Sequence, residues 1–200
     1  MTNTALTPHL HSIEPGTELT FESVYPDTVA FVWRTARRLG VEESGLETFC
    51  RDVFVEVHKR LTHFDRRSSL RAWVFSVLRD RVQVYRRKLA NNNRPSRRRI
   101  PNIDAEYNEL EDKTPYELVS TAQALRIAHE ILELLSDEKR EVFILVDLEK
   151  WPISEAALAT GVDDKTAFSR LEIARKEFAL AAHRVRIRDT LRGRDSWRVE

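Results

Sequence analysis

Hydrophobic residues recur at steps of three and four along most of this 200-residue chain. That spacing puts them on one stripe of an α-helix. Val29, Val32, Trp33, Ala36 and Leu39 predict a first helix from Pro26 to Leu39. Proline suits its first turn and Gly40 its end. Leu46, Phe49, Cys50, Val53, Phe54 and Val57 predict a second, from about Ser44 to Leu61, whose other face carries Glu47, Arg51, Asp52 and Glu56. A polar loop, His63 to Ser69, follows, with Ser68 or Ser69 placed to cap a third helix reaching about Lys88. Its stripe is Leu70, Trp73, Val74, Val77, Leu78, Val82 and Tyr85.

The pattern breaks at residues 90–113, where a basic, proline-punctuated run meets an acidic one. Such a composition buries too little apolar surface to fold alone. Thr114, Pro115 and Glu117 then form a capping box that opens a helix to about Leu135, with Leu118, Ala122, Leu125, Ala128, Ile131 and Leu132 apolar. Ser136 caps a helix to about Lys150, and Pro152 interrupts the chain. A short helix, ISEAALAT, ends at Gly161, and Asp163 or Asp164 caps a last one reaching about Arg184. The expected architecture is all-α. A flexible leader (1–22) precedes a first helical domain (23–89). A flexible linker (90–113), a second domain (114–185) and a charged tail (186–200) follow.

Short helix, glycine turn and longer helix are the parts of a helix-turn-helix. In DNA-binding versions the N-terminal part of the second helix meets base edges, which points to Lys165, Thr166, Ser169 and Arg170. A helical hairpin that only packs fits the same periodicity, and Asp163 and Asp164 repel phosphates.

The formal charge is only +1, which averages away a steep division. Residues 51–100 carry 15 Lys/Arg against 4 Asp/Glu, while residues 101–150 carry 5 against 13. The basic block points to a polyanionic partner. It interleaves cations with aromatics: His63, Phe64, Arg66, Arg67, Trp73, Arg79, Tyr85, Arg86, Arg87 and Lys88. That mixture suits single-stranded nucleic acid, cations following the backbone and rings stacking on bases. Trp73 shares the stripe of Leu70 and Val77, which favours a place in the core.

Composition narrows the classes further. Five glycines are few for an all-β chain, and none forms a phosphate-binding loop. One cysteine, Cys50, leaves no internal disulfide and no cysteine-based zinc cluster. His9 and His11 have nothing near them to complete a metal site. No apolar run reaches the ~18–20 residues of a membrane span. The expectation is a cytoplasmic chain with no membrane insertion, no catalytic residues, no metal and no cofactor.

Two stretches resemble the extracytoplasmic-function group of bacterial sigma factors. Arg51 to Lys88 is similar to that family's region 2, through Asp52-Val53-Phe54, Phe64, Arg71-Ala72-Trp73 and Arg86-Arg87-Lys88. Leu135 to Phe178 is similar to region 4, through Leu135, Arg140, Glu141, Val142, Glu155, Ala157, Gly161, Thr166, Ser169, Arg170, Leu171, Ala174 and Arg175. The resemblance implies a factor that binds core RNA polymerase and directs promoter recognition, melting and transcription initiation. Glu47, Arg51, Asp52 and Glu56 would dock on the β′ clamp helices, and region 4 on the β flap. His63, Phe64, Arg66, Arg67, Ser68, Ser69, Arg79, Arg86, Arg87 and Lys88 would hold the melted −10 element. Lys165, Thr166, Phe168, Ser169, Arg170 and Arg175 would read the −35 element. An anti-sigma partner is implied too. The chain departs from the pattern at Arg51, Asp80, Asp163, Asp164 and Phe168, and Trp151-Pro152 stands where Leu-Ser is usual. On the residues alone two other readings stay open: a helix-turn-helix regulator independent of polymerase, and a helical protein-interaction adaptor.

Overall fold

The computed structural model describes residues 19–91 and 126–195, the last ten of these as backbone. The leader, most of the linker, the Thr114 capping box, Leu118, Ala122, Leu125 and the end of the tail lie outside the described residues. The elements among them are all helical: α1 (Phe21–Arg38), α2 (Glu43–Arg60) and α3 (Leu70–Asn91), then α4 (126–132), α5 (Asp137–Phe143), α6 (Ile153–Thr160) and α7 (Asp164–Asp195). No strand occurs among them, as the periodicity predicts.

α1 begins at Phe21, so Pro26 sits inside the helix rather than in its first turn. An interior proline costs ~3 kcal/mol through its missing N–H and ring clash. Packing offsets it. Val24 is fully buried, and the Phe21 ring lies against Tyr25, Phe54 and His58. α2 buries the six residues its stripe predicts. In α3 the Ser69 hydroxyl accepts the Ala72 N–H at 3.1 Å, the expected cap. Trp73 and Tyr85 are half-buried, and Ala72 and Phe75, outside the predicted stripe, are buried.

Phe75 is buried because α3 has two packed faces. Leu70, Val74, Val77 and Leu78 belong to the core shared with α1 and α2. Ala72, Phe75, Arg79 and Arg86 line a second stripe, about three and a half residues apart. α6 packs on it. The two helical units thus form one continuous core, which also takes in Leu132, Leu135, Val142, Ile144 and Ala156.

After α5 the chain does not continue as a regular helix to Lys150. Ile144–Leu148 form a π turn, and the Glu149 N–H donates to the Ile144 carbonyl at 2.9 Å. This wider turn buries Ile144 and Leu145 and leads directly to Trp151. α6 stops at Gly161, whose φ of 72° is the left-handed conformation glycine adopts without strain. Asp163 Oδ1 accepts the Thr166 N–H at 2.6 Å and caps α7. α7 runs on to Asp195, beyond the expected end near Arg184.

Candidate nucleic-acid interface

The loop before α3 is exposed. His63, Arg66 and Arg67 stand in solvent, and Arg66 takes a φ of 58°. Arg67 is held near Asp65, its backbone N–H donating to Asp65 Oδ1 at 3.1 Å. Phe64 is half-buried, with its ring 5.1 Å from that of Trp73. This pair closes the loop onto α3 and leaves the ring edges near the surface. Ser68 is half-buried, and Arg87 and Lys88 at the far end of α3 are exposed.

Three other residues of the −10 set face the second unit instead. Arg79 Nη1 donates to the Thr160 carbonyl at 2.6 Å, at the C-terminus of α6. Arg86 pairs with Asp137 and donates to the Leu39 carbonyl. Ser69 donates to Glu155 on α6. The Leu39 carbonyl belongs to the end of α1, but Thr160, Asp137 and Glu155 belong to the second unit, so the positive face of α3 is partly covered from within.

The remainder of this packing centres on residues the sequence did not mark as functional. Trp151 is 3% exposed. It stacks on Phe31 and meets Phe75 edge-on, with ring centroids 5.4 and 6.2 Å away. The Arg71 guanidinium lies 4.8 Å above the Trp151 ring, and burial lowers its pKa from the ordinary value. Beside it, Glu149, 5% exposed, receives Arg34 at 3.1 Å and Arg38 at 2.5 Å. Arg140, also buried, donates to the carbonyls of Glu133 and Leu135 and reaches that of Leu39. Glu141 is drawn into the same region. Burial pushes its carboxyl up to about 7, while Arg79 pulls the other way. The one signal available in the sequence was Trp151-Pro152, which departs from the usual Leu-Ser.

On the helix-turn-helix, Lys165, Phe168 and Ser169 are exposed and Arg170 is half-buried. Thr166 is engaged in the Asp163 cap. Arg175 grips Asp147 with two nitrogens, at 2.9 and 2.7 Å, and Glu172 with a third contact at 3.2 Å. Those bonds hold α7 to the π turn and raise the Arg175 pKa.

The residues assigned to polymerase docking share the outer side of α2. Glu47 and Arg51 pair at 3.0 Å, Asp52 lies 3.6 Å from Arg81, and Glu56 meets Arg60 at 2.5 Å. Glu47 and Arg51 border a groove of about 400 Å³ between α1 and α2, lined also by Tyr25, Val29, Trp33 and Val55. Its aromatic side went unread in the sequence, where Tyr25 precedes the expected helix start. Cys50 forms part of its floor, with burial pushing the thiol up to about 12. No group of residues suited to hold a metal ion occurs among the described residues. No helix among them is long and apolar enough to cross a membrane.

Residues 125–178 match the family model of sigma-70, region 4, which spans α4, α5, α6 and the first half of α7. No curated protein matches the chain in sequence. Among solved structures the chain is similar to the sigma factor RpoE of Bartonella quintana, solved in complex with the anti-sigma factor NepR. The identity is 21%, over 80% of this chain and 95% of that one, with a TM-score of 0.63. It is similar also to CnrH, solved in complex with the cytosolic domain of CnrY, at 23% identity over 80% and 85%, with a TM-score of 0.56. Residues 125–178 are thus similar to sigma-70 region 4, and the chain that carries them shares the fold of these solved sigma-factor structures.

Proposed function

We propose that this chain is an RNA polymerase sigma factor of the extracytoplasmic-function group. It binds core polymerase and promoter DNA in the cytoplasm and directs transcription initiation. It is not an enzyme, since the chemistry of RNA synthesis belongs to the polymerase. The observation that carries the reading is the matched region 4, folded as a helix-turn-helix, behind a three-helix unit whose last helix is strongly basic.

Each surface has a chemical fit. The exposed residues His63, Arg66, Arg67, Arg87 and Lys88 offer cations to a melted strand, and the half-buried Phe64 offers a ring. The outer side of α2, with Glu47, Arg51, Asp52 and Glu56, offers alternating charge to the polymerase clamp. Lys165, Phe168, Ser169 and Arg170 present the start of α7 to duplex DNA. Ser69, Arg79 and Arg86 join the melted strand only when α3 separates from α5 and α6, because Ser69 and Arg79 bond to α6 and Arg86 pairs with Asp137 of α5. An anti-sigma factor is a fitting partner, as the similar RpoE was solved in complex with the anti-sigma factor NepR.

The deciding experiment is transcription in vitro with purified core polymerase and the full chain on genomic templates. Promoter-dependent transcripts are expected. Binding to duplex DNA with no transcript and no retention on core would instead mark a polymerase-independent regulator.

A further inference from the structure

The start of α7 has an unusual chemical balance for a DNA-reading helix. Asp163 and Asp164 sit at its N-terminus, where a phosphate would otherwise be welcome, and both are exposed. Thr166 is turned back to Asp163 as part of the cap. Arg175 is bound to Asp147 and Glu172. Polar readout at this helix therefore falls to Lys165, Ser169 and the half-buried Arg170. Between them stands Phe168, 57% exposed, with no ring contact among the described residues. Helical spacing puts Lys165, Phe168 and Ser169 on one face. A phenyl ring held in water beside a cation and a hydroxyl is poorly placed unless something apolar comes to cover it. In the major groove the one apolar group on a base edge is the thymine methyl.

We infer that Phe168 is a specificity-determining residue that reads a thymine 5-methyl group in the upstream promoter element. This rests on the sigma-factor reading and adds the chemistry of its duplex target. Lys165 supplies a phosphate contact and Ser169 a hydrogen bond, while the ring supplies discrimination through shape and desolvation. An upstream element selected by the holoenzyme then contains thymine opposite Phe168 rather than a run read only by hydrogen bonds.

The test uses the full chain with core polymerase. Upstream elements are first selected from a random duplex library by the holoenzyme. Each thymine in them is then replaced singly by deoxyuridine, which removes only the methyl. At one or two positions the replacement lowers initiation roughly fourfold, the effect of burying one carbon group. With Phe168→Ala the same positions become insensitive, and Phe168→Lys loses the methyl effect while keeping affinity. Both variants keep the wild-type melting temperature, since the ring is on the surface. A flat deoxyuridine scan with an initiating wild-type holoenzyme overturns the inference and leaves the sigma-factor reading standing. So does methyl sensitivity that survives Phe168→Ala. An Ala variant equally weakened on templates with a scrambled upstream element assigns the ring to a protein partner and overturns it too. A chain that neither binds core nor initiates overturns both.

Discussion

Trp151 stacks on Phe31, with ring centroids 5.4 Å apart and planes inclined by 25°. The two residues belong to different helical units, 120 positions apart. Phe75 closes the ring's edge and Arg71 its face. Truncating a buried aromatic residue typically costs ~3–5 kcal/mol. Much of that cost should fall on the packing of one unit against the other. Trp151→Ala is expected to lower the melting temperature and to raise the radius of gyration in small-angle scattering. Salt-dependent binding to single-stranded DNA should tighten as Arg79 and Arg86 are released. An unchanged radius would show that Trp151 stabilises only its own unit.

Glu149 makes the same contact electrostatic. Its buried carboxylate is shared by Arg34 and Arg38, the first of which is well exposed. Losing one partner of a buried pair costs ~3–5 kcal/mol, and partial exposure of the arginines reduces this to ~1–3 kcal/mol here. Glu149→Gln keeps the shape and should destabilise by that lesser amount. A double-mutant cycle with Arg38→Met should show coupling, because the charges meet directly. Additive effects would place the loss in Glu149's own burial instead.

Much of this architecture is legible in the sequence, and the division follows the range of the interaction. The buried face of α2 can be read because its six apolar residues repeat locally and pack locally. The Ser69 cap and the Gly161 turn are legible because each obeys a rule of backbone geometry. Phe75 is not, since its burial depends on α6, which lies far along the chain. Pro26 misleads for a related reason, as packing of Phe21 and Val24 outweighs a local helix signal. Arg79 and Arg86 look like a free cationic face because nothing nearby in sequence reveals Thr160, Asp137 or the Leu39 carbonyl. The charge census finds the basic block but not what covers it.

Glu141 gives the packing a pH dependence with a definite sign. Burial raises its carboxyl from 4.5 to about 7, with Arg79 and Arg86 opposing the shift and Asp137 and Glu138 adding to it. The folded state therefore binds a proton more tightly than the unfolded chain. Stability from this group is fully present below about pH 4.5 and is lost as pH rises toward 7. The full span is at most ~3 kcal/mol. Glu141→Gln mimics the protonated form. It should leave the melting temperature near its wild-type value at pH 5 and raise it at pH 8. Parallel curves for the two proteins from pH 5 to 8 would contradict the assignment.

Arg86, Arg87 and Lys88 are consecutive, yet the structure gives them different work. Arg86 is tied to Asp137 and Leu39, whereas Arg87 and Lys88 are exposed. A free surface cation that meets a phosphate releases about one counterion, and its removal lowers the slope of log K against log salt by about 1. Arg87→Ala and Lys88→Ala should each weaken holoenzyme binding to forked promoter DNA, with that loss of slope and no change in melting temperature. Arg86→Ala should behave differently. It removes the Asp137 pair and leaves the Leu39 carbonyl to Arg140 alone, so the melting temperature falls. Its DNA affinity then reflects two opposed effects, a lost cation and an easier separation of α3 from α5. Titrations at several salt concentrations, read beside thermal melts, distinguish the residues. If all three variants lose the same slope at unchanged stability, Arg86 is as available to DNA as its neighbours, and its pair with Asp137 does not hold the two units together.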